Sequence, residues 1–220
     1  MPVELIIFDC DGVLIDSEAI ACQVDSRCLA EIGITMPAET IMDRYLGISA
    51  AAMCADIEQR HDCRLPEDFT VTLRLRVAAA FEAELTAIPG IATVLDALPQ
   101  RRCVASSSAP DRLRHSLSLT GLLGYFDPHV FSATQVVRGK PSPDLFLFAA
   151  DAMQTAPDRC VVIEDSVPGV QAAVAADMRV IGFTGGAHCR PGHADRLRAA
   201  GAVAIADAAR HLPECIRAVI

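Results

Sequence analysis

Side chains suited to metal and phosphoryl chemistry follow short apolar runs in this chain. They comprise four carboxylates, two hydroxyls and one ammonium: Asp9, Asp11, Ser106, Ser107, Lys140, Glu164 and Asp165. If the apolar runs are parallel strands of one open sheet, their carboxyl ends share the edge at which such sheets bind ligands. Four ionised carboxylates cannot gather there without a compensating cation, and hard oxygen ligands in that number favour Mg²⁺.

A divalent cation together with Lys140 makes an electropositive pocket that suits a phosphate. In that pocket Asp9 is the candidate nucleophile, which gives an aspartyl-phosphate intermediate. Asp11, two residues on, is expected to protonate the leaving oxygen and later to activate water. Gly12 permits the sharp turn between these groups and the following chain. Ser106 and nearby backbone N–H groups are expected to hold the non-bridging phosphate oxygens.

Lys140 is the only lysine among the 19 basic residues of the chain. A GC-rich coding bias accounts for a general replacement of lysine by arginine. The surviving lysine then marks a position where a planar, forked guanidinium does not substitute for a compact ammonium.

The apolar runs alternate with helix-like segments, which predicts a doubly wound parallel α/β sheet of the Rossmann-like type. The predicted strands cover residues 3–8, 103–105, 129–131, 160–163, 180–182 and 203–205. The predicted helices between them cover residues 91–98, 110–119, 144–153, 167–176 and 194–200.

Residues 15–88 break this alternation and read as an all-helical insert. Segment 17–32 has helical apolar spacing with Ser17 as a candidate N-cap, and 50–61 is also predicted helical. Segment 69–77 fits both a strand and a helix, and its alanine-rich continuation decides for the helix. The predicted organisation is a catalytic core of residues 1–14 and 89–220, interrupted by a helical domain of residues 15–88.

Composition and charge narrow the range of functions. A net charge of −9 argues against a nucleic-acid partner. Nine cysteines without a C-x-x-C pair predict buried free thiols in a reducing compartment. Neither a signal peptide nor a membrane span is evident, so a cytoplasmic protein is expected.

A second group of candidate metal ligands, His188, Cys189 and His193, fits no standard zinc spacing. The Gly185-Gly186 loop with His188 is assigned to a structural loop or site rim.

The motifs resemble those of the haloacid-dehalogenase-like superfamily of phosphotransferases, in its β-phosphoglucomutase and phosphoglycolate-phosphatase-like branch. They are Phe8-Asp9-Cys10-Asp11-Gly12-Val13-Leu14, Ser106, Lys140-Pro141 and Ile163-Glu164-Asp165-Ser166, which occur in the family's order. The four motifs span residues 8–166. An isolated D-x-D-G is weak evidence, whereas the ordered set of four is specific.

The resemblance implies roles for individual residues. Mg²⁺ would be held by Asp9, by Asp165, by the carbonyl of Asp11, and by Glu164 directly or through water. Ser106, Ser107 and Lys140 would bind the phosphoryl group. The insert resembles a helical cap that closes over the site, excludes water and reads the substrate. The cap residues expected to face the substrate are Glu18, Gly47 and Ser49.

Two other activities found in the superfamily are disfavoured, each by a single type of residue. Dehalogenases lack the second aspartate, which is present here as Asp11. Phosphonate hydrolases use a cap lysine, and residues 15–88 contain none.

The remaining choice lies between phosphatase and phosphosugar mutase. Mutase-like relatives carry a histidine early in the first cap helix and a Gly-x-Ser-Arg segment, where this chain has no such histidine and has Ala50 in place of the arginine. The sequence therefore favours a bacterial sugar-phosphate phosphatase acting on a phosphorylated sugar, sugar acid or polyol. The alternatives are a β-phosphoglucomutase-type mutase and a non-catalytic phosphosugar-binding module. The expected partner is a small phosphorylated metabolite, without nucleic acid or membrane, and the expected state is a monomer, with a weak dimer as the alternative.

Overall fold

The computed structural model describes residues 3–46, 48 and 50–219. These residues form six strands and ten α-helices in two compact units. One unit contains the chain up to Asp16 and again from Thr86 onward, and the other contains Ser17–Leu85.

The first unit is built on one six-stranded sheet. Its strands are β1 (Leu5–Phe8), β2 (Arg101–Ser106), β3 (Val130–Ser132), β4 (Cys160–Glu164), β5 (Arg179–Phe183) and β6 (Ala204–Ala206). They pair in parallel in the order β3-β2-β1-β4-β5-β6. The order reverses between β1 and β4, and crevices at such reversals are the usual ligand sites of doubly wound sheets. The predicted Rossmann-like parallel sheet is confirmed.

Six helices accompany this sheet. They are α5 (Ile91–Ala97), α6 (Pro110–Leu119), α7 (Asp144–Ala152), α8 (Val167–Ala175), α9 (His193–Ala200) and α10 (Leu212–Ala218). Strands β1 and β4 are fully buried along their lengths, as expected for central parallel strands covered on both faces. Side chains of α7, α8 and α9 pack against β1, β2, β4 and β5 in a single apolar cluster.

The second unit is entirely helical among its described residues. It contains α1 (Glu18–Glu31), α2 (Ala38–Tyr45), α3 (Ala50–His61) and α4 (Phe69–Glu84). Helix α1 contacts both α2 and α4. The buried residues of all four helices form one apolar cluster, so the unit has its own core.

The two connections between the units lie side by side within the first unit. The Asp16 N–H donates to the carbonyl of Thr86 at 3.0 Å, and the Ile88 N–H donates to the carbonyl of Leu14 at 2.9 Å. The structural division falls after Asp16 and after Leu85, two to three residues inside the 15–88 range expected from sequence.

Several sequence expectations need correction. Helices α2 and α10 were not predicted, because each is short and depends on two buried apolar residues. Ser17 occupies the N-cap position of α1, but its side chain makes no capping hydrogen bond. All nine cysteines are free thiols, of which Cys63, Cys189 and Cys215 are partly exposed rather than buried.

Within the described ranges, no helix is long and apolar enough to cross a membrane.

Helix α4 resolves the segment whose pattern fitted both a strand and a helix. Its buried stripe repeats every four residues at Phe69, Leu73, Val77 and Phe81, while Leu75 is 63% exposed. We therefore expect Leu73→Ala to lower the free energy of unfolding by about 2–5 kcal/mol. Leu75→Ala, the matched control on the same helix, should change it by no more than about 0.5 kcal/mol. Denaturant unfolding of both variants measures the difference, and equal effects would contradict the helical stripe.

Candidate active site

Asp9 stands directly beyond the carboxyl end of β1. Its N–H continues the strand pairing by donating to the carbonyl of Ile163 at 2.9 Å, and the residue is only 6% exposed. The chain then turns at Gly12, which has φ +80° and donates its N–H to the carbonyl of Ile15 at 2.8 Å. A side chain at Gly12 would be strained at that φ. The turn therefore explains the glycine that follows Asp11.

Lys140 is buried between two carboxylates. Its Nζ lies 2.6 Å from Asp9 Oδ1 and 2.7 Å from Glu164 Oε2, and its side chain is 4% exposed. Burial alone would lower the pKa of Lys140, but the two carboxylates outweigh burial and raise it. The two carboxylates therefore favour the charged ammonium form of Lys140. Lys140 joins residues that are 131 and 24 positions away in sequence.

The two carboxylates that contact Lys140 belong to a cluster of three. One oxygen each of Asp9, Glu164 and Asp165 lies within 4.8 Å of the others, and all three residues are buried. Burial raises the pKa of Asp9 and of Asp165 well above the usual range, although Lys140 acts in the opposite direction. One ammonium does not balance three buried carboxylates. A hard divalent cation bound by these oxygens would supply the missing charge, so the donor set fits such an ion.

Glu164 is held by the turn that follows β4. Its Oε1 accepts hydrogen bonds from Ser166 N–H at 3.0 Å and from Ser166 Oγ at 2.7 Å, and its Oε2 accepts from Lys140. Ser166 Oγ also caps α8 by accepting from Gly169 N–H. A Cβ at Gly169 would lie 2.0 Å from Glu164 Cδ. The glycine therefore leaves the space in which this carboxylate lies.

Of the two serines predicted to bind phosphate, Ser106 ends strand β2 and Ser107 follows it directly. Because β2 pairs beside β1, Ser106 reaches the same edge of the sheet as Asp9. Ser106 is buried, and its Oγ accepts from Ser108 N–H at 3.1 Å. Ser107 is exposed.

Asp11 has two partners that the sequence did not reveal. Its Oδ2 accepts from Ser108 Oγ at 2.7 Å, and its Oδ1 lies 3.0 Å from an Arg112 guanidinium nitrogen. Ser108 lies two residues before α6 and Arg112 lies in its first turn, 97 and 101 positions from Asp11 in sequence. A third hydroxyl after Ser106 and Ser107 was the only sequence signal for this contact.

The sequence profile of haloacid dehalogenase-like hydrolases matches residues 3–177, which is most of the chain. The chain belongs to this family. The predicted family and hydrolase class are therefore confirmed, and the family's use of divalent metal agrees with the buried carboxylates of this hydrolase.

The similarity to known proteins covers most of the length of this hydrolase. The hydrolase is 33% identical to 6-phosphogluconate phosphatase of Escherichia coli K12 over 190 residues, 86% of each chain. A haloacid dehalogenase-like protein of unknown function from Agrobacterium tumefaciens superposes with a TM-score of 0.90 at 41% identity, covering 98% of each chain. A hydrolase of the same family from Deinococcus radiodurans, solved with bound phosphate and sodium, superposes with a TM-score of 0.80 at 34% identity. The match covers 99% of this chain and 96% of that chain. The prediction of a phosphoric monoester hydrolase is confirmed at the level of reaction class.

Three residues are predicted to read the substrate: Glu18, Gly47 and Ser49. Glu18 is the first residue of α1, in the helical unit. Gly47 and Ser49 lie outside the described residues. Their roles stay predictions.

The loop of His188 was assigned to a structural loop or a site rim, and the burial of His188 argues against the rim. The residue is 3% exposed, and its Nε2 lies 2.8 Å from Asp165 Oδ2. Ligand atoms of His188, Cys189 and His193 lie within 4.8 Å of one another. However, His193 accepts from Arg196 at Nδ1 and therefore donates from Nε2 to the Asp165 carbonyl. Neither nitrogen of His193 keeps a lone pair for zinc, which agrees with the non-standard spacing.

Proposed function

We propose that this hydrolase is a Mg²⁺-dependent phosphomonoesterase that acts on a small phosphorylated sugar, sugar acid or polyol through an aspartyl-phosphate on Asp9. The observation that carries the proposal is the buried ammonium of Lys140, 2.6 Å from the carboxylate of Asp9 at the end of β1. A carboxylate beside a fixed cation, at the reversal of strand order, is placed to meet an anionic substrate.

The reaction has two displacements. In the first, a carboxylate oxygen of Asp9 attacks phosphorus, the bond from phosphorus to the ester oxygen breaks, and Asp11 gives its proton to the leaving alcohol. In the second, Asp11 takes a proton from water, the water oxygen attacks phosphorus, and the bond to Asp9 breaks. Inorganic phosphate leaves, and both aspartates return to their starting states.

Charge stabilisation is assigned to the groups around Asp9. Lys140, Ser106 and Ser107 bind the non-bridging oxygens of the transferring group. Asp9, Asp165, the Asp11 carbonyl and Glu164 would hold Mg²⁺, which neutralises phosphate charge when bound. Glu164 also accepts from Ser166 and Lys140. Glu164 therefore holds the Lys140 ammonium in place whether it binds the ion directly or through water.

The helical unit is proposed to be the cap domain that selects the substrate, with the catalytic core formed by residues 1–14 and 89–220. A separate apolar core within Ser17–Leu85 supports its assignment as a domain of its own. Relatives named as sugar-phosphate phosphatases support the substrate class. Glu18, Gly47 and Ser49 remain the proposed substrate-reading residues.

A phosphate-release assay tests the proposal. The full chain is treated with a chelator and assayed on sugar, polyol and sugar-acid phosphates, with Mg²⁺ or with Na⁺ as the control. We expect release of inorganic phosphate to vanish after chelation and to return with Mg²⁺ alone. A mutase would convert a hexose 1-phosphate into the 6-phosphate without net phosphate release. A binding module would show ligand affinity with no turnover, and either result would overturn the phosphatase.

A further inference from the structure

The loop between β5 and α9 places an imidazole against the proposed metal-binding aspartate. The His188 side chain has no exposed surface, the Asp165 side chain is 4% exposed, and the His188 Nε2 to Asp165 Oδ2 distance is 2.8 Å. A carboxylate oxygen accepts, so His188 donates from Nε2. The bond occupies one of the two carboxylate oxygens of Asp165 and restricts its rotation.

Two glycines leave the space for this ring. A Cβ at Gly186 would lie 2.7 Å from both Cε1 and Nδ1 of His188. A Cβ at Gly12 would lie 2.1 Å from Asp165 Oδ2 and 2.7 Å from His188 Cε1. Real Cβ atoms do not approach other atoms so closely. A side chain at either position would therefore displace the imidazole or the carboxylate.

The same loop also holds the main chain of Asp165. His193 donates from Nε2 to the Asp165 carbonyl at 2.6 Å, and Arg196 fixes that ring by donating to its Nδ1 at 3.0 Å. Asp16 accepts from the N–H of Ala187 at 3.0 Å, which ties the loop to the chain beyond Asp9.

We propose that His188 is a positioning residue that orients the Asp165 carboxylate toward the divalent cation. The inference rests on the proposed function, because it concerns the same metal site. Groups that hydrogen-bond a metal-ligating side chain fix its direction before the ion arrives, and their loss typically weakens metal affinity by about 10–100-fold. A residue that only filled space would not require a donor at Nε2.

Direct metal binding by four variants tests the proposal, with Mn²⁺ as a spectroscopic probe followed by electron paramagnetic resonance and Mg²⁺ followed by calorimetry. His188→Leu removes the donor, and we expect its Kd for Mn²⁺ to rise by about 10–100-fold. His188→Gln carries an amide N–H near the Nε2 position and should keep most of the affinity. Gly186→Ala crowds the ring and should weaken binding. Gly124→Ala, where an added Cβ meets nothing within 4 Å, is the control.

Kinetics and thermal unfolding provide the remaining readouts. We expect His188→Leu to need more Mg²⁺ for half-maximal rate but to recover kcat when Mg²⁺ saturates, with the KM for the phosphate ester unchanged. Metal-free melting identifies a variant that fails to fold, in which case His188→Gln and Gly186→Ala still decide.

Two results would overturn the proposal: wild-type affinity in His188→Leu, or equal loss in His188→Gln and His188→Leu. If the wild-type chain itself binds no Mn²⁺ and releases no phosphate, both this inference and the proposed function fail. Normal binding and turnover in the wild type with unaffected variants would overturn the inference alone.

Discussion

Asp9→Asn should reduce phosphate release by on the order of 10⁴-fold or more, the scale seen when a catalytic nucleophile is removed. The amide has nearly the shape of the carboxylate but cannot attack phosphorus. Lys140 keeps Glu164 as a partner at 2.7 Å, so its ammonium stays paired in the variant. The substitution also removes one of three buried like charges. We therefore expect a folded protein with normal melting and turnover reduced on that scale.

The measurement is initial phosphate release with saturating Mg²⁺, together with mass spectrometry of an acid-quenched reaction. Phosphate should be found on the peptide containing Asp9 in the wild type and be missing in Asp9→Asn. Asp151→Asn, an exposed aspartate on α7, is the matched control and should retain full activity. Retained turnover in Asp9→Asn would remove Asp9 from the role of nucleophile.

Lys140→Arg should lower turnover by at least about 10²-fold, the effect of removing one positioned donor from a developing charge. The Nζ lies within 2.7 Å of two carboxylates and 4.9 Å from the centre of the Phe146 ring, in a space with 4% exposure. A guanidinium is larger and forked, so it cannot place one nitrogen at the same point. The extra volume should also lower the free energy of unfolding by about 1–3 kcal/mol.

Lys140→Met separates charge from shape. It keeps an apolar stem of similar length but leaves Asp9, Glu164 and Asp165 without their buried cation, and we expect a loss of about 3–5 kcal/mol of stability in metal-free protein. Denaturant unfolding with and without Mg²⁺ measures this loss and the fraction that the ion restores. Near-wild-type turnover in Lys140→Arg would show that the single lysine of the chain is an accident of composition.

The order of elements was predictable from local pattern. The buried run ending at Phe8, the run ending at Ile163 and the helical segments between the runs were recognisable because parallel strands and amphipathic helices impose their own spacing of apolar residues. One site was assigned to the carboxylates after the first and fourth strands, the serines after the second strand, and Lys140. The reason was that the carboxyl ends of parallel strands share one edge of the sheet. Element ends shifted by one or two residues, since end positions depend on pairing with neighbours.

The partners within the site were decided only by tertiary structure. Arg112 meets Asp11 across 101 positions of sequence, and His188 meets Asp165 from the loop after the next strand. Spacing along a chain reports which residues share a helix or a strand. It does not report which loops converge when strand order reverses, and that convergence determines the neighbours of each carboxylate.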